Sequence, residues 1–354
     1  MRLIRSNKGV AALDMATAGT RKHVILDNRQ RTNRLIITIA ATLTVIGFAA
    51  GAVRNGGRLS AVMQHAVNEN GEDTFGIADA YMLRALAEYR AGQPLAGVTL
   101  PASAALPIAA YPLRETYSLD FGDRRMVSPA ETYFMEADPS SFMQLDSIVI
   151  PNAIATLVAP GGLGATFTLT NITVTVEQEF ASGAAGELPL FKPRVRQLSQ
   201  QVAGTNPQDI FYIKTQSRLR SLVVAAEAIV AADGGRVIVA DVITALRLIG
   251  DARDANVIGP NQTPYNVLVD SQRMVAGGDV TALGAFFTSY FADNGQLSNT
   301  IVPASQFPNF RYEFASAISA SGSTRINVLM EELIRRAPVN GYNTVAPELP
   351  AWLS

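Results

Sequence analysis

The amino-acid sequence predicts an all-β protein made of two tandem antiparallel sandwiches, each carrying one inserted short helix. Three observations predict it. Segments of alternating or β-branched apolar residues dominate, as in Leu35–Ile46 and in ITVTVEQEF from Ile172. Proline- and glycine-rich connections separate them, such as Pro101 to Pro112 and Pro160-Gly161-Gly162. Finally, short matches recur in the same order in the two halves of the chain.

The first long apolar segment is LIITIAATLTVIGFAAGAV, Leu35 to Val53, uncharged and flanked by Arg34 and Arg54. Its length suits a membrane-spanning helix, and Gly47 and Gly51 form a GxxxG pair. Its period favours a strand. The odd positions Leu35, Ile37, Ile39, Ala41, Leu43 and Val45 are all apolar, and the even ones include Thr38, Thr42 and Thr44. One dry face and one threonine face describe a half-buried strand.

Residues 58–90 then read as strand, turn at Asn70-Gly71, short strand and a helix near Asp79, with Ala78, Met82, Ala85, Leu86 and Tyr89 at helical spacing. Residues 218–251 repeat the series: an apolar strand, a turn at Asp233-Gly234-Gly235, the strand VIV and a helix expected from Asp241. Arg58-Leu59 matches Arg218-Leu219, and Ile77-Ala78-Asp79 matches Val239-Ala240-Asp241. Arg125-Met126-Val127 matches Arg273-Met274-Val275, and Ile172 matches Ile326. Four ordered matches spaced by about one domain length imply a duplication. The opening strand then has a counterpart in DIFYIKTQ from Asp209, which favours the strand over an isolated span.

The expected organisation is a basic arm over residues 1–34, a first sandwich over 35–180, a linker over 181–207, a second sandwich over 208–337 and an extended tail over 338–354. The arm holds eight Lys and Arg (Arg2, Arg5, Lys8, Arg21, Lys22, Arg29, Arg31 and Arg34) against Asp14 and Asp27. The whole chain of 354 residues carries a net charge of −1, so the rest is acidic. Such an arm suits contact with a polyanion or a neighbouring subunit and is expected to serve assembly, not folding. Arg2, Arg5, Lys8, Arg21 and Lys22 are its candidate contact residues.

Catalytic patterns are absent. Cysteine does not occur, and there is neither HExxH nor GxSxG. Gly161-Gly162-Leu163-Gly164 lacks the Lys-Ser/Thr of a phosphate loop. His23 and His65 are the only histidines, and each reads as structural. Asp120, Asp123 and Asp138 have the chemistry to meet a cation, although loop carboxylates usually face water, so a metal site stays open. Glu177, Glu179, Glu331 and Glu332 read as solvated or interfacial charges. Asn171-Ile172-Thr173 and Asn261-Gln262-Thr263 fit a glycosylation pattern of the kind that arises by chance. No catalytic residue, cofactor or enzymatic activity is expected.

Two tandem sandwiches with a helix after a turn of the type VNENGEDTFGIADAYMLRAL resemble the double jelly-roll major capsid proteins of tailless, membrane-containing icosahedral bacteriophages. The corticovirus type is most similar, and the adenovirus lineage shares the architecture. The resemblance covers roughly residues 30–340, although the loops around 95–115 and 252–262 match nothing in the family. It implies two eight-stranded jelly rolls and a homotrimer of pseudo-hexagonal outline in a virion shell over an inner membrane. Strands would stand normal to the shell. The partners would be neighbouring capsomers, minor capsid proteins and the inner membrane surface, with no sequence-specific nucleic acid. The subunit would occupy the host cytoplasm before assembly. Some relatives bind structural metals, but no ligand set maps onto this chain. The rival readings are a carbohydrate-binding or glycan-processing sandwich, against which a single Trp speaks, and a protein anchored through residues 35–53.

Overall fold

The computed structural model describes residues 2–5, 10–14, 21–27, 32–45, 52–69, 72–91, 97–101, 109–121, 142–159, 167–182, 187–189, 191–202, 209–212, 218–239, 243–249, 263–264, 286–290, 302–303, 311–316, 322–335 and 343–345. Strands dominate, and sixteen of the 22 described fall into two sets of eight, the others being short additions at sheet edges or between the sets.

In chain order the first set is Val10–Asp14, Arg21–Ile25, Thr32–Val45, Met63–Glu69, Glu72–Asp79, Ala109–Asp120, Met143–Val149 and Phe167–Ser182. The first, eighth, third and sixth form one sheet, in that order. The second, seventh, fourth and fifth form the other. The second set is Phe191–Val202, Asp209–Tyr212, Arg218–Val230, Ile243–Ile249, Thr263–Pro264, Phe286–Tyr290, Arg311–Ser316 and Gly322–Arg335. It repeats both orders without exception. Two four-stranded sheets connected this way are a jelly roll, and the chain contains two.

The Thr32–Val45 strand shows why the alternation matters. Its odd residues Leu35, Ile37, Ile39, Leu43 and Val45 are fully buried, whereas Thr38, Thr42 and Thr44 are half-buried. It pairs on one side with Ala109–Asp120 and on the other with Phe167–Ser182. Thr38 Oγ1 meets Thr116 Oγ1 at 3.0 Å across the first of these ladders. A strand hydrogen-bonded on both edges is not a spanning helix, so the reading of residues 35–53 as a transmembrane helix fails where the structure describes them. No helix among the described residues is long and apolar enough to cross a membrane. The eighth strand bulges at Asn171, whose φ of 53° is left-handed, and Ile172 is thereby turned into the core.

Several expected boundaries and elements differ. The segment expected as a free arm contributes strands to both sheets of the first jelly roll. Arg2–Arg5 and Val10–Asp14 extend along the eighth strand, and Arg21–Ile25 pairs with Met143–Val149. These strands are short and interrupted, and only Val24 and Leu26 supply a buried apolar signal within 21–27, so charge masked them in the sequence. The segment expected as a linker contains Phe191–Val202, which pairs along its whole length with Gly322–Arg335. The helix expected from Asp241 is the strand Ile243–Ile249, paired with Arg311–Ser316. Its β-branched start and ladder partner override the helical spacing.

The strand order is therefore repeated in the two halves, but most of the short matches do not mark it. Arg58-Leu59 lies at a 3-10 turn, whereas Arg218-Leu219 opens a long strand. Asp79 closes a fifth strand, and Asp241 precedes a fourth. Met126 and Met274 lie outside the described residues. Only Ile172 and Ile326 occupy equivalent eighth strands. The counterpart of Thr32–Val45 is Arg218–Val230, the third strand of its half, and not the segment from Asp209.

Candidate functional site

The residues that fix how the two jelly rolls sit together form the most elaborate polar site among the described residues. The sheet of the second half continues into the first through one parallel contact, Val195 opposite Phe75. Beside this contact stands the helix Ala80–Ala91. It is buried all round from Tyr81 to Glu88. One side packs on Ala109–Asp120 of its own jelly roll and another on Arg218–Val230 of the second. Both faces of that latter strand are buried, with Val223 to Ala226 fully inaccessible.

A helix wedged between two domains needs partners for its polar atoms. Tyr81 Oη donates to Glu227 Oε2 at 3.2 Å and accepts from Asn327 Nδ2 at 2.8 Å. Asp79 stands at the helix start. Its carboxylate accepts from Gln64 at 2.8 Å, from Gln197 at 2.6 Å and from Arg236 at 2.8 Å, while its amide donates to Gln197. Arg236 also bonds Glu227 at 2.7 Å, and Arg325 holds the other oxygen of that carboxylate. Burial alone would raise the Asp79 carboxyl, but Arg236 and the two glutamine amides outweigh it and hold the group below its ordinary value. Burial alone would lower the Arg236 guanidinium, but the carboxylates of Asp79 and Glu227 outweigh it and hold the group above its ordinary value. Burial, with Glu227 and Asp79 adding to it, raises the Tyr81 hydroxyl well above its usual range.

A second contact lies at the other end of the joint. The turn Asp233-Gly234-Gly235 rests on the first jelly roll. Arg54 Nη1 bonds both Asp233 oxygens, at 2.9 and 3.0 Å, and the carbonyl of Ala155 at 2.7 Å. Asn55, held left-handed at φ 53°, donates through Nδ2 to the carbonyls of Thr156 and Arg236 and accepts the amide of Ile238 at 2.8 Å. The Asn55 amide thus occupies the edge of the short strand Arg236–Ile238 that its ladder partner Arg218–Val230 leaves open.

Two further buried clusters stiffen the first jelly roll. Glu115, fully buried, faces Arg84 at 3.2 Å and Arg58 at 3.6 Å and accepts the Ser60 amide, and Arg84 also pairs with Glu88. Burial, and then the neighbouring Arg84, lower Arg58 from its ordinary value. His65 links the two sheets through Ser147 Oγ and Tyr117 Oη, and burial lowers it to about 4. Burial, then Glu115, raises the Tyr117 hydroxyl well above its usual range.

The candidate contact residues are not brought into one cluster. Arg2 and Arg5 lie opposite Ser182 and Glu179 on one sheet. Arg21 and Lys22 are exposed on the edge strand of the other, where Arg21 bonds Asp146 at 2.5 Å, and Lys8 lies outside the described residues. Of the four carboxylates expected as solvated or interfacial, Glu177 is half-buried and the other three are buried. Glu179 is buried against Arg34 at 2.6 Å, Glu332 against Arg194 and Arg196 at 2.9 Å, and Glu331 is buried as well. Asp120, considered for a cation, pairs with Arg34 at 3.1 Å, while Asp123 and Asp138 lie outside the described residues. Among the described residues no group of three or more His, Cys, Asp or Glu is placed to hold a metal ion. Sequence reasoning missed Arg54, Asn55, Glu227 and Arg236. The Asp-Gly-Gly turn was visible, but its partner lies in the other half of the chain.

No protein-family model matches the chain, and no curated protein matches it in sequence. Solved structures do match in fold. The STIV major capsid protein superposes with a TM-score of 0.64 at 12% identity over 94% of this chain and 96% of its own. The PBCV-1 capsid protein gives 0.60 at 10% identity over 94% of each chain. The major capsid protein of bacteriophage PM2, a corticovirus, gives 0.53 at 10% identity over 96% of this chain and 99% of its own. The chain has the double jelly-roll fold found in the major capsid proteins of icosahedral viruses.

Proposed function

We propose that the chain is a major capsid protein, a structural subunit that assembles as pseudo-hexagonal homotrimers into an icosahedral shell. The observation that carries this reading is the repeated sheet order. Two jelly rolls of identical topology, locked side by side, give each subunit two similar lobes. Three such subunits around a closed axis present six similar sides, which lets one chain tile positions of local six-fold symmetry. The work of the protein is assembly, not catalysis.

The partners in this reading are copies of the chain, neighbouring capsomers and minor capsid proteins. The exposed basic residues of the Arg21–Ile25 edge strand, with Arg2, Arg5 and Lys8, are the proposed contacts to a neighbour or to an inner membrane. Native mass spectrometry of the purified chain tests the proposal. A species of three times the 37.7 kDa chain mass is expected. A monomer at every concentration, or an enzyme activity in the pure protein, would overturn it.

A further inference from the structure

We infer that the Asp233-Gly234-Gly235 turn is a latch whose seating on the first jelly roll sets the angle between the lobes and decides whether the subunit closes a trimer. This rests on the capsid reading and assigns it a specific device. The seat is built from Arg54, Asn55 and the short helix Ala153–Leu157. The fit is close. A Cβ at Gly234 would lie 2.5 Å from Asn152 Nδ2. One at Gly235 would lie 2.5 Å from the Ala155 carbonyl oxygen and 2.6 Å from Arg54 Nη1.

The two glycines serve different ends. Gly234 has a φ of 70°, so the turn itself needs it. Gly235 is not left-handed, so its own backbone admits a side chain, and only the seat on the other jelly roll excludes one. Asp233 also has two tasks. It accepts the Gly235 amide at 2.8 Å within the turn and the Arg54 guanidinium across the joint. An aspartate that shapes its own turn while gripping the other domain couples the turn's form to the lobe angle. A shell subunit needs that coupling, because an angular error in one subunit prevents three from closing.

The test compares wild type, Gly235→Ala and Asp233→Asn. Both variants should keep the far-ultraviolet circular dichroism of the wild type, since neither alters a core residue. Gly235→Ala should remain monomeric where wild type is trimeric. Asp233→Asn, which keeps the turn bond and loses the charge, should need about tenfold more subunit to trimerise, which for a three-body equilibrium is about a hundredfold in the dissociation constant. Trimerisation of both variants at the wild-type concentration would overturn the latch. Should Gly235→Ala fail to fold, Asp233→Asn decides alone. A wild type that never trimerises would overturn the capsid reading and with it the latch's part in closure, and the seating that sets the lobe angle is then read from amide exchange. The Arg236 and Ile238 amides, bonded across the joint to Thr156 and Asn55, should exchange at least tenfold faster in either folded variant. Unchanged exchange would overturn it.

Discussion

Replacing Glu227 with glutamine removes one charge from the centre of the joint and leaves its shape. Glu227 is fully buried and receives Arg236, Arg325 and the Tyr81 hydroxyl. Removing one partner of a buried ion pair costs about 3–5 kcal/mol, because the remaining charge stays desolvated. Two features place this case at the low end. The Arg325 side chain is 32% exposed and turns to water, and Arg236 keeps Asp79 at 2.8 Å. A loss of about 3 kcal/mol is expected. The assay is urea unfolding at neutral pH followed by circular dichroism, where the midpoint should fall with the slope unchanged. Because the wedge helix and the network bind both jelly rolls, the wild type should unfold in one transition. A loss below about 1 kcal/mol, the scale of an ordinary hydrogen bond, would refute the reasoning. So would two separate wild-type transitions.

Other expectations follow from the same structure. Ile39→Asp puts an unpaired charge at a fully buried position and should unfold the first jelly roll, as circular dichroism would reveal; a soluble, native-like variant would contradict that burial. Deleting residues 1–25 removes three strands and bares the edges of Phe167–Ser182 and Met143–Val149, so the product should aggregate when examined by light scattering. A folded trimer, as expected of a free arm, would restore that view. His65 is neutral in the fold and lowered to about 4, so unfolded chains bind its proton first as pH falls. Its contribution is complete above about pH 6.5 and lost towards pH 4, by about 3 kcal/mol. His65→Gln should flatten that part of the stability profile, and an unchanged slope would assign it to other groups.

The sequence made the fold class legible because its long strands carry two-residue alternation, broken in Phe167–Ser182 only at the Asn171 bulge. Thr32–Val45 and Phe167–Ser182 bury the residues that the pattern marks. The strands it hid are short or charged. Arg21–Ile25 exposes four of its five side chains, and Phe191–Val202 has a mixed polar surface, so each reads as arm or linker until its ladder partner is known. The helix Ala80–Ala91 was legible from its spacing, but its wedge role was not, because Glu227 and Asn327 are distant in sequence. Glu179 and Glu332 looked solvated for the same reason: their arginines arrive from other strands. The duplication was inferred from matches that mostly fall on non-equivalent elements. What repeats is the order of strands, which ladder pairing and core packing fix without requiring the same side chains at matching positions.

Electron microscopy of the purified protein tests the central claim most directly. Two jelly rolls of the same topology, held at one angle by the wedge helix and the seated turn, should appear as particles with three-fold symmetry and six lobes of similar size. Compact particles with two lobes at every concentration, or rings of any other symmetry, would contradict the account.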